Sequence, residues 1–377
     1  MSTSANFLPL ILGFMCATGL SAAAQDPQPT RLIPVRTLVH ATDPLAVDVV
    51  SPGSVELLLL DESGAVLSRV GAGAAGRIDI AQLMTPVREL KSSAYLQAVV
   101  DGQPTGAALV VQPLRGRPTV RTTMSLRPDS TNKYTRVIGW GSELLEGASE
   151  ADLALQQVWI EGDEIVTSGF RLEPERDALL VTDRGSLRVA MCPTQAPATV
   201  RNFMTLAESG FYDSTIFHRV VPADRDGHPF VVQGGDPTGT GNGGPGYDIA
   251  LEPSRLPHAF GVISMARADE PASAGSQFFL CLSREGTARL DGQYCAFGYA
   301  IEGAAELRAL ADVQIQDAAN GRPVIPPRLI RVELVPATPH QVDVDRRSRR
   351  IRGSLWQPVL GPFLSSREPT SAPKSPP

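Results

Sequence analysis

The chain is predicted to be mainly β: an antiparallel β-barrel with two capping helices, preceded by a β-sandwich-like N-terminal domain. Three observations carry this. Runs of five or six branched and aliphatic residues alternate with turn clusters from Gln25 to Leu114. A second series of strand-like runs extends from Leu179 to Val335. Helical spacing interrupts that second series only twice, after Pro197 and from Ala304 to Ala311.

Taken in order, the chain opens with an apolar stretch from Phe7 to Leu20, followed by Ser21-Ala22-Ala23-Ala24-Gln25, a small-residue site of the A-x-A kind. This reads as a secretory signal peptide over 1–24, so export to a periplasm, cell envelope or medium is expected. A stretch of about 14 apolar residues is short for a membrane span, and no stable insertion is predicted. Strands are expected at Leu45–Val50, Val55–Leu60, Ala65–Val70, Tyr95–Val100 and Ala107–Val111, with Ser51-Pro52-Gly53 and Asp61-Glu62-Ser63-Gly64 as turns. Their spacing is immunoglobulin-like, without a Cys–Trp–Cys signature.

The stretch 115–177 reads as a connector, with a helix at Ser149–Gln157 and strand-like pieces at Tyr134–Trp140 and Gln156–Thr167. Within 178–336, Leu179–Thr182 and Ser186–Met191 flank Asp183-Arg184-Gly185 as a hairpin. Val200, Phe203, Ala207 and Phe211 mark one face of a helix that starts near Pro197 and stops at Gly210. All other runs up to Val335 read as strands. Residues 337–377 are rich in Pro and Ser and read as a disordered tail; its run Arg346–Arg352 reads as a solvated charge cluster.

A length of 377 residues exceeds one ordinary core, and 42% hydrophobic residues suffice to pack two. A net charge of -6 argues against a nucleic-acid partner. Loss of Cys16 with the signal leaves Cys192, Cys281 and Cys295, an odd set that reads as buried thiols rather than a disulfide framework.

Four segments in fixed order carry the functional signal: Phe217-His218-Arg219-Val220, Phe230 to Asp236, Gly275-Ser276-Gln277-Phe278-Phe279 and Arg289-Leu290-Asp291-Gly292. Together they resemble the active-site strands of the cyclophilins, the peptidyl-prolyl cis-trans isomerases, over about Ala178 to Pro336. The resemblance implies a cyclophilin-like barrel acting on proline-containing polypeptides, without cofactor or metal.

Rotation about an X-Pro amide meets a barrier of about 20 kcal/mol, because the C–N bond has partial double-bond character. No covalent bond breaks. What helps is a donor beside the pyramidal nitrogen and a dry apolar wall around the ring. Arg219 is the candidate donor, with its planar, permanently charged fork. Gln233 matches the glutamine that holds the arginine and the substrate backbone. Phe230, Val231, Phe279, Leu290 and Tyr294 match the proline pocket, with His218 at its edge. Ala266, Arg267 and Ala268 match a stretch offering main-chain groups to an extended peptide, and Gln277 and Gly241 match the groove lining. Taken singly, Phe279 and Leu290 would be barrel core and Arg219 a surface ion-pair partner; only the constellation makes a site.

Three departures stand out. Arg289 occupies a position where many eukaryotic members carry tryptophan, which implies weak cyclosporin binding. Tyr294 and Val231 replace a common histidine and methionine. The link Ala223–Pro229 is longer than usual and is expected to rim the groove.

Other motifs resolve to blander readings. Gly239-Thr240-Gly241-Asn242-Gly243-Gly244 fits G-x-G-x-x-G, but Pro245 prevents the helix a dinucleotide site needs, so it reads as a groove-edge loop. Asp224-Arg225-Asp226-Gly227 lacks the later ligands of a calcium loop. His218, His228 and His258 are too scattered for a zinc set. Two further functions compete with catalysis: a peptide-binding or chaperone module with little turnover, and an adhesin working through 25–114. Natural clients and oligomeric state are not specified by the sequence.

Overall fold

The computed structural model describes residues 30–340 except 74, 117–119, 127–130, 142, 156–166 and 319. The signal segment, the Arg346–Arg352 cluster, the tail beyond 340 and nearly all of the strand-like piece Gln156–Thr167 lie outside the described residues.

Two antiparallel sheets form the N-terminal sandwich. One has Ala46–Val50 at its centre, between Arg31–Pro34 and Gly76–Asp79. The other runs in the order Leu38–His40, Gly169–Pro174, Leu109–Leu114, Ala94–Val100, Val55–Leu60, Val66–Gly73. Leu57 and Leu59 face Val47, Val49 and Ile80 in the shared core, while Leu58 and Leu60 pack on the opposite face with Tyr95, Val99 and Val110. That is why Leu57–Leu60 is an unbroken apolar run instead of an alternating one.

The second face of this sheet meets the barrel. Tyr95 Oη lies 3.4 Å from Thr194 Oγ1, Gln195 donates to Glu62 at 2.6 Å, and the His340 ring sits 4.2 Å from that of Tyr95. His340 N also donates to Gln97 Oε1 at 3.0 Å, and its Nε2 is 2.7 Å from Glu175 Oε2. Residues 337–340, which the sequence places in the tail, therefore fasten the barrel's last strand to the sandwich.

The stretch 115–177 does more than connect. Gly169–Pro174 enters the sandwich sheet between Leu38–His40 and Leu109–Leu114. Strands Val120–Leu126, Lys133–Trp140 and Glu143–Leu144 make a three-stranded sheet whose Val137 and Trp140 join the barrel core. The predicted helix is the short Glu150–Ala154, opened by a capping box between Ser149 and Asp152.

A nine-stranded antiparallel sheet forms the barrel, in the order Thr215–Ile216, Arg328–Pro336, Arg176–Thr182, Gly185–Met191, Ala296–Glu302, Val262–Met265, Phe278–Cys281, Val231–Gly234, Arg219–Val221. Its first and last strands are separated by only Phe217 and His218, and Ile216 bridges Asp236, so the two edges meet.

Helix Pro197–Glu208 buries Phe203 against Tyr212, Phe278 and Phe297 at centroid distances of 5.0, 5.6 and 5.3 Å. Ala196 provides no side-chain cap, and the Glu252 carboxylate takes the free amides of Ala198 and Thr199 at 3.1 and 2.7 Å. Gly210, at φ +71, ends the helix: Gly210 N bonds Ala207 O and Phe211 N bonds Leu206 O, both at 3.0 Å, the paired bonds of a Schellman turn. The second capping helix spans Ala304–Ala311 as predicted.

One segment departs from the strand-only reading. Arg284–Thr287 and Ala288–Leu290 are helical turns, started by the Ser283 hydroxyl accepting from Gly286 N at 2.9 Å. The three described cysteines are free and buried.

Candidate active site

Alternation along three strands creates two faces. Val220, Val232, Phe278 and Leu280 point into the barrel core. Their neighbours Val231, Phe279 and Cys281 point outward and, with Leu290 and Val262, form a separate cluster against which Phe230, Ala266 and Tyr294 pack. Register places Arg219 opposite Gln233 and Gln233 opposite Phe279, and directly opposed residues share a face. Phe279 and Leu290 thus belong to an outer apolar wall, not to the barrel interior.

A polar chain runs along that face. Arg219 Nη1 donates to Gln233 Oε1 at 3.1 Å, Gln233 Nε2 donates to Gln277 Oε1 at 2.9 Å, and Gln277 Nε2 donates to the carbonyls of Gly241 and Gly243, both at 2.9 Å. The loop carrying those carbonyls is gathered by Asp236. Its carboxylate accepts from Gly241 N (2.6 Å), Gly243 N (3.1 Å), Thr238 N (2.7 Å) and Thr238 Oγ1 (2.8 Å). Burial works to raise this carboxyl, but the four donors prevail and hold it at about 2. A Cβ on Gly243 would stand 2.0 Å from Asp236 Oδ1, so only glycine fits there. The motif order gives Asp236 no role of its own; the glycine-rich run after it is the signal that something must gather the loop.

Arg219 is half-buried, and burial lowers its pKa while Tyr294 opposes the shift. Among the described residues no carboxylate lies within ion-pair distance of it, so its charge is fixed by Gln233 and unopposed. His218 is buried beside it, and neither ring nitrogen has a hydrogen-bond partner among the described residues. Burial lowers the His218 pKa, with Asp236 pulling the other way, so the ring is neutral at physiological pH.

The apolar wall is braced by cations and rings. Tyr294 meets Phe279 edge-on at 5.7 Å, and the Arg267 guanidinium lies 4.8 Å from the Tyr294 centroid. Arg289 covers the Phe230 ring at 4.4 Å and pairs with Asp224 at 3.1 Å, which ties the long loop to the pocket rim. Ala266 N already donates to Gln277 O and Ala268 N to Ser273 Oγ, both at 2.9 Å, so two of the main-chain donors in this stretch serve the fold itself. Gln233, Gly241, Ala266, Arg267, Ala268 and Gln277, together with the loop Asn242–Asp248, line a cavity of about 530 Å³.

A buried chain that sequence reasoning missed supports the wall. His258 Nδ1 is 3.0 Å from Asp291 Oδ1, and its Nε2 is 2.9 Å from Ser264 Oγ. Burial lowers the His258 pKa against the pull of Asp291, so the neutral ring donates to the carboxylate and accepts the serine hydroxyl. The order mimics a nucleophile triad, yet Ser264 is wholly buried and reaches no substrate. Its effect is to lock the turn carrying Leu290 beneath Phe279, whose ring stacks on His258 at 6.0 Å.

The sequence model described as "Cyclophilin type peptidyl-prolyl cis-trans isomerase/CLD" matches residues 178–334. A peptidyl-prolyl cis-trans isomerase of Synechococcus elongatus is 46% identical over 121 residues, 32% of this chain and 77% of that protein. The peptidyl-prolyl cis-trans isomerase-like 1 of Gibberella zeae is 36% identical over 162 residues, 42% of this chain and 93% of its own length. The chain belongs to the cyclophilin-type peptidyl-prolyl cis-trans isomerases. A crystal structure of a Cryptosporidium parvum cyclophilin is also similar, at 31% identity and a TM-score of 0.39, covering 44% of this chain and 99% of that one. The family match leaves the sandwich and the three-stranded sheet outside it.

Two look-alike motifs in this isomerase have structural explanations. Gly239–Gly244 is the loop gathered by Asp236, with no helix after it. Asp224, Asp226 and His228 bring ligand atoms within 4.8 Å of one another. The Asp224 carboxylate, however, already accepts from the amides of Asp226 and His228, both at 3.0 Å, and from Arg289. Among the described residues no helix is long and apolar enough to cross a membrane.

Proposed function

We propose that the isomerase turns X-Pro bonds by electrostatic stabilisation from Arg219 against the dry wall of Phe230, Val231, Phe279, Leu290 and Tyr294, and that its substrates are exported polypeptides. The observation that carries the mechanism is a half-buried guanidinium, tethered by Gln233 and without a carboxylate partner among the described residues. An unopposed charge in a low-dielectric setting acts strongly on whatever dipole is placed beside it. As the amide twists, its nitrogen becomes pyramidal and gains a lone pair. A guanidinium N–H donates to that nitrogen only in the twisted state, which makes the interaction differential rather than uniform.

A hundred-thousandfold acceleration corresponds to about 7 kcal/mol, a demand shared between this donor and exclusion of water by the wall. Neutral His218 and buried Ser264 supply no proton, and the reaction requires none. The Gln233–Gln277 chain keeps the guanidinium from collapsing onto solvent and, through the Gln277 amide, ties it to the groove loop of Gly241 and Gly243.

The test is prolyl exchange on a short Ala-Pro peptide, followed by NMR or protease coupling. Arg219→Ala is expected to lower kcat/KM by about 100- to 1,000-fold, the scale for removing one preorganised donor. Arg219→Lys is expected to recover little of it, because a point charge lacks the fork. Full activity in Arg219→Ala would falsify the mechanism; tight peptide binding without turnover in the wild type would favour the chaperone reading. Export rests on the apolar segment and A-x-A site before Gln25. Fractionation of cells expressing the full chain tests it: a product beginning near Gln25 outside the cytoplasm supports export, and a full-length cytoplasmic product overturns it.

A further inference from the structure

The pocket loop Asp291–Tyr294 is gripped by the three-stranded sheet that lies outside the family match. Gln293 brackets Val137 in strand Lys133–Trp140: Val137 N donates to Gln293 Oε1, and Gln293 Nε2 donates to Val137 O, both at 2.9 Å. The side-chain amide thereby stands in for a neighbouring strand's peptide group. Next to it, Gly292 at φ +68 lies under Leu145; a Cβ there would come 2.8 Å from Leu145 Cδ1. Val137 and Trp140 are anchored in the barrel core, so the grip comes from a packed element and not from a free loop.

From Gln293 the contacts lead straight to the pocket. The Gln293 carbonyl accepts from Arg267 Nε at 3.0 Å, Arg267 covers the Tyr294 ring, and Tyr294 meets Phe279 edge-on. The other end of the same loop is held independently by the His258–Asp291 bond. Gln293 is thus the tie at the Tyr294 end.

We infer that Gln293 is a positioning residue through which the sheet of 120–144 sets the Tyr294–Arg267 side of the substrate pocket. The inference rests on the isomerase reading and adds an element to the active site that the matched stretch lacks. Because Gln293 holds only the Tyr294 edge of the wall, and Arg219, Phe230 and Phe279 stay in place without it, loosening that edge weakens planar and twisted states about equally. KM should rise while kcat stays nearly constant.

The experiment uses the full chain, a short Ala-Pro peptide, and three variants measured for kcat, KM, peptide Kd and Tm. Gln293→Ala removes both bonds, and Gln293→Leu does so while keeping the volume. Val137→Ala retains both bonds, which involve only backbone, but takes methyl groups from the core. Both Gln293 variants are expected to raise KM and Kd about five- to tenfold, the loss of roughly one hydrogen bond's net worth, with kcat within about twofold. Val137→Ala is expected to lower Tm with KM unchanged. The inference is overturned if the Gln293 variants keep wild-type KM and Kd, or if Val137→Ala raises KM in step with its fall in Tm. Absence of turnover in the wild type would strike the isomerase reading instead, and Kd would still decide the role of Gln293.

Discussion

The two faces of strands Val231–Gly234 and Phe278–Cys281 are built from the same backbone and do opposite things. The inner face is apolar throughout and closed by Phe203, Phe217 and Phe297; the outer face alternates an aromatic wall with a chain of amides ending on a half-buried arginine. On the mechanism proposed above, the comparison explains how a barrel supports a reaction that needs no nucleophile. Its interior supplies rigidity, and its exterior holds one charge beside a dry surface. Adjacent residues such as Phe278 and Phe279 should therefore fail in different ways.

The largest effect is expected inside. Phe278→Ala should cost about 3–5 kcal/mol of stability, since its ring packs on Phe203, Tyr212 and Phe217, and calorimetry or denaturant titration reads it directly. Phe279→Ala sharpens the contrast by losing kcat/KM more than stability. If the two variants lose stability equally with activity per folded molecule intact, the distinction between faces is wrong.

Next comes the loop behind the amide chain. Asp236 is held at about 2 when folded, below its ordinary value, so its contribution is complete above about pH 4 and disappears as pH falls through 2. The shift is worth about 2 kcal/mol. Asp236→Asn should be less stable at neutral pH, because an amide nitrogen would oppose the N–H groups of Gly241 and Gly243. Its stability should also decline less steeply than the wild type's between about pH 4 and 2, the remaining slope coming from Asp224 and Asp291, which are likewise held below their ordinary values. An equally steep decline in the variant would assign the acid sensitivity elsewhere.

The smallest effect lies on the rim. Glu143 and Arg255 are 3.5 Å apart and both strongly exposed. Glu143→Ala should change stability by less than about 0.5 kcal/mol and leave kcat/KM untouched, which separates the buried grip of Gln293 on Val137 from mere surface pairing.

Much of this organisation was readable along the chain. Three of the five expected sandwich strands fell within one residue of their runs and the other two ended three residues later, because alternation and turn residues are local. Helix Pro197–Glu208 stopped at Gly210 since only a residue at ease with φ +71 completes the paired terminal bonds. The site residues came from motif order, and the register of neighbouring strands brought Arg219, Gln233 and Phe279 into one row. The face on which Phe279 lies was readable only from its place among the motifs: taken alone, an apolar residue in an apolar strand looks the same inward or outward.

By itself the sequence determined most strands, the helix ends and the set of candidate site residues, since each is written in spacing and side-chain chemistry over a few positions. Tertiary structure alone decided what lies far apart along the chain. It brought Gln293 to Val137 across 156 residues and His340 to Gln97 across 243, and it drew Gly169–Pro174 back into the first domain's sheet. Such pairings depend on the fit of surfaces that exist only once both partners have folded, and no stretch of neighbouring residues encodes that fit.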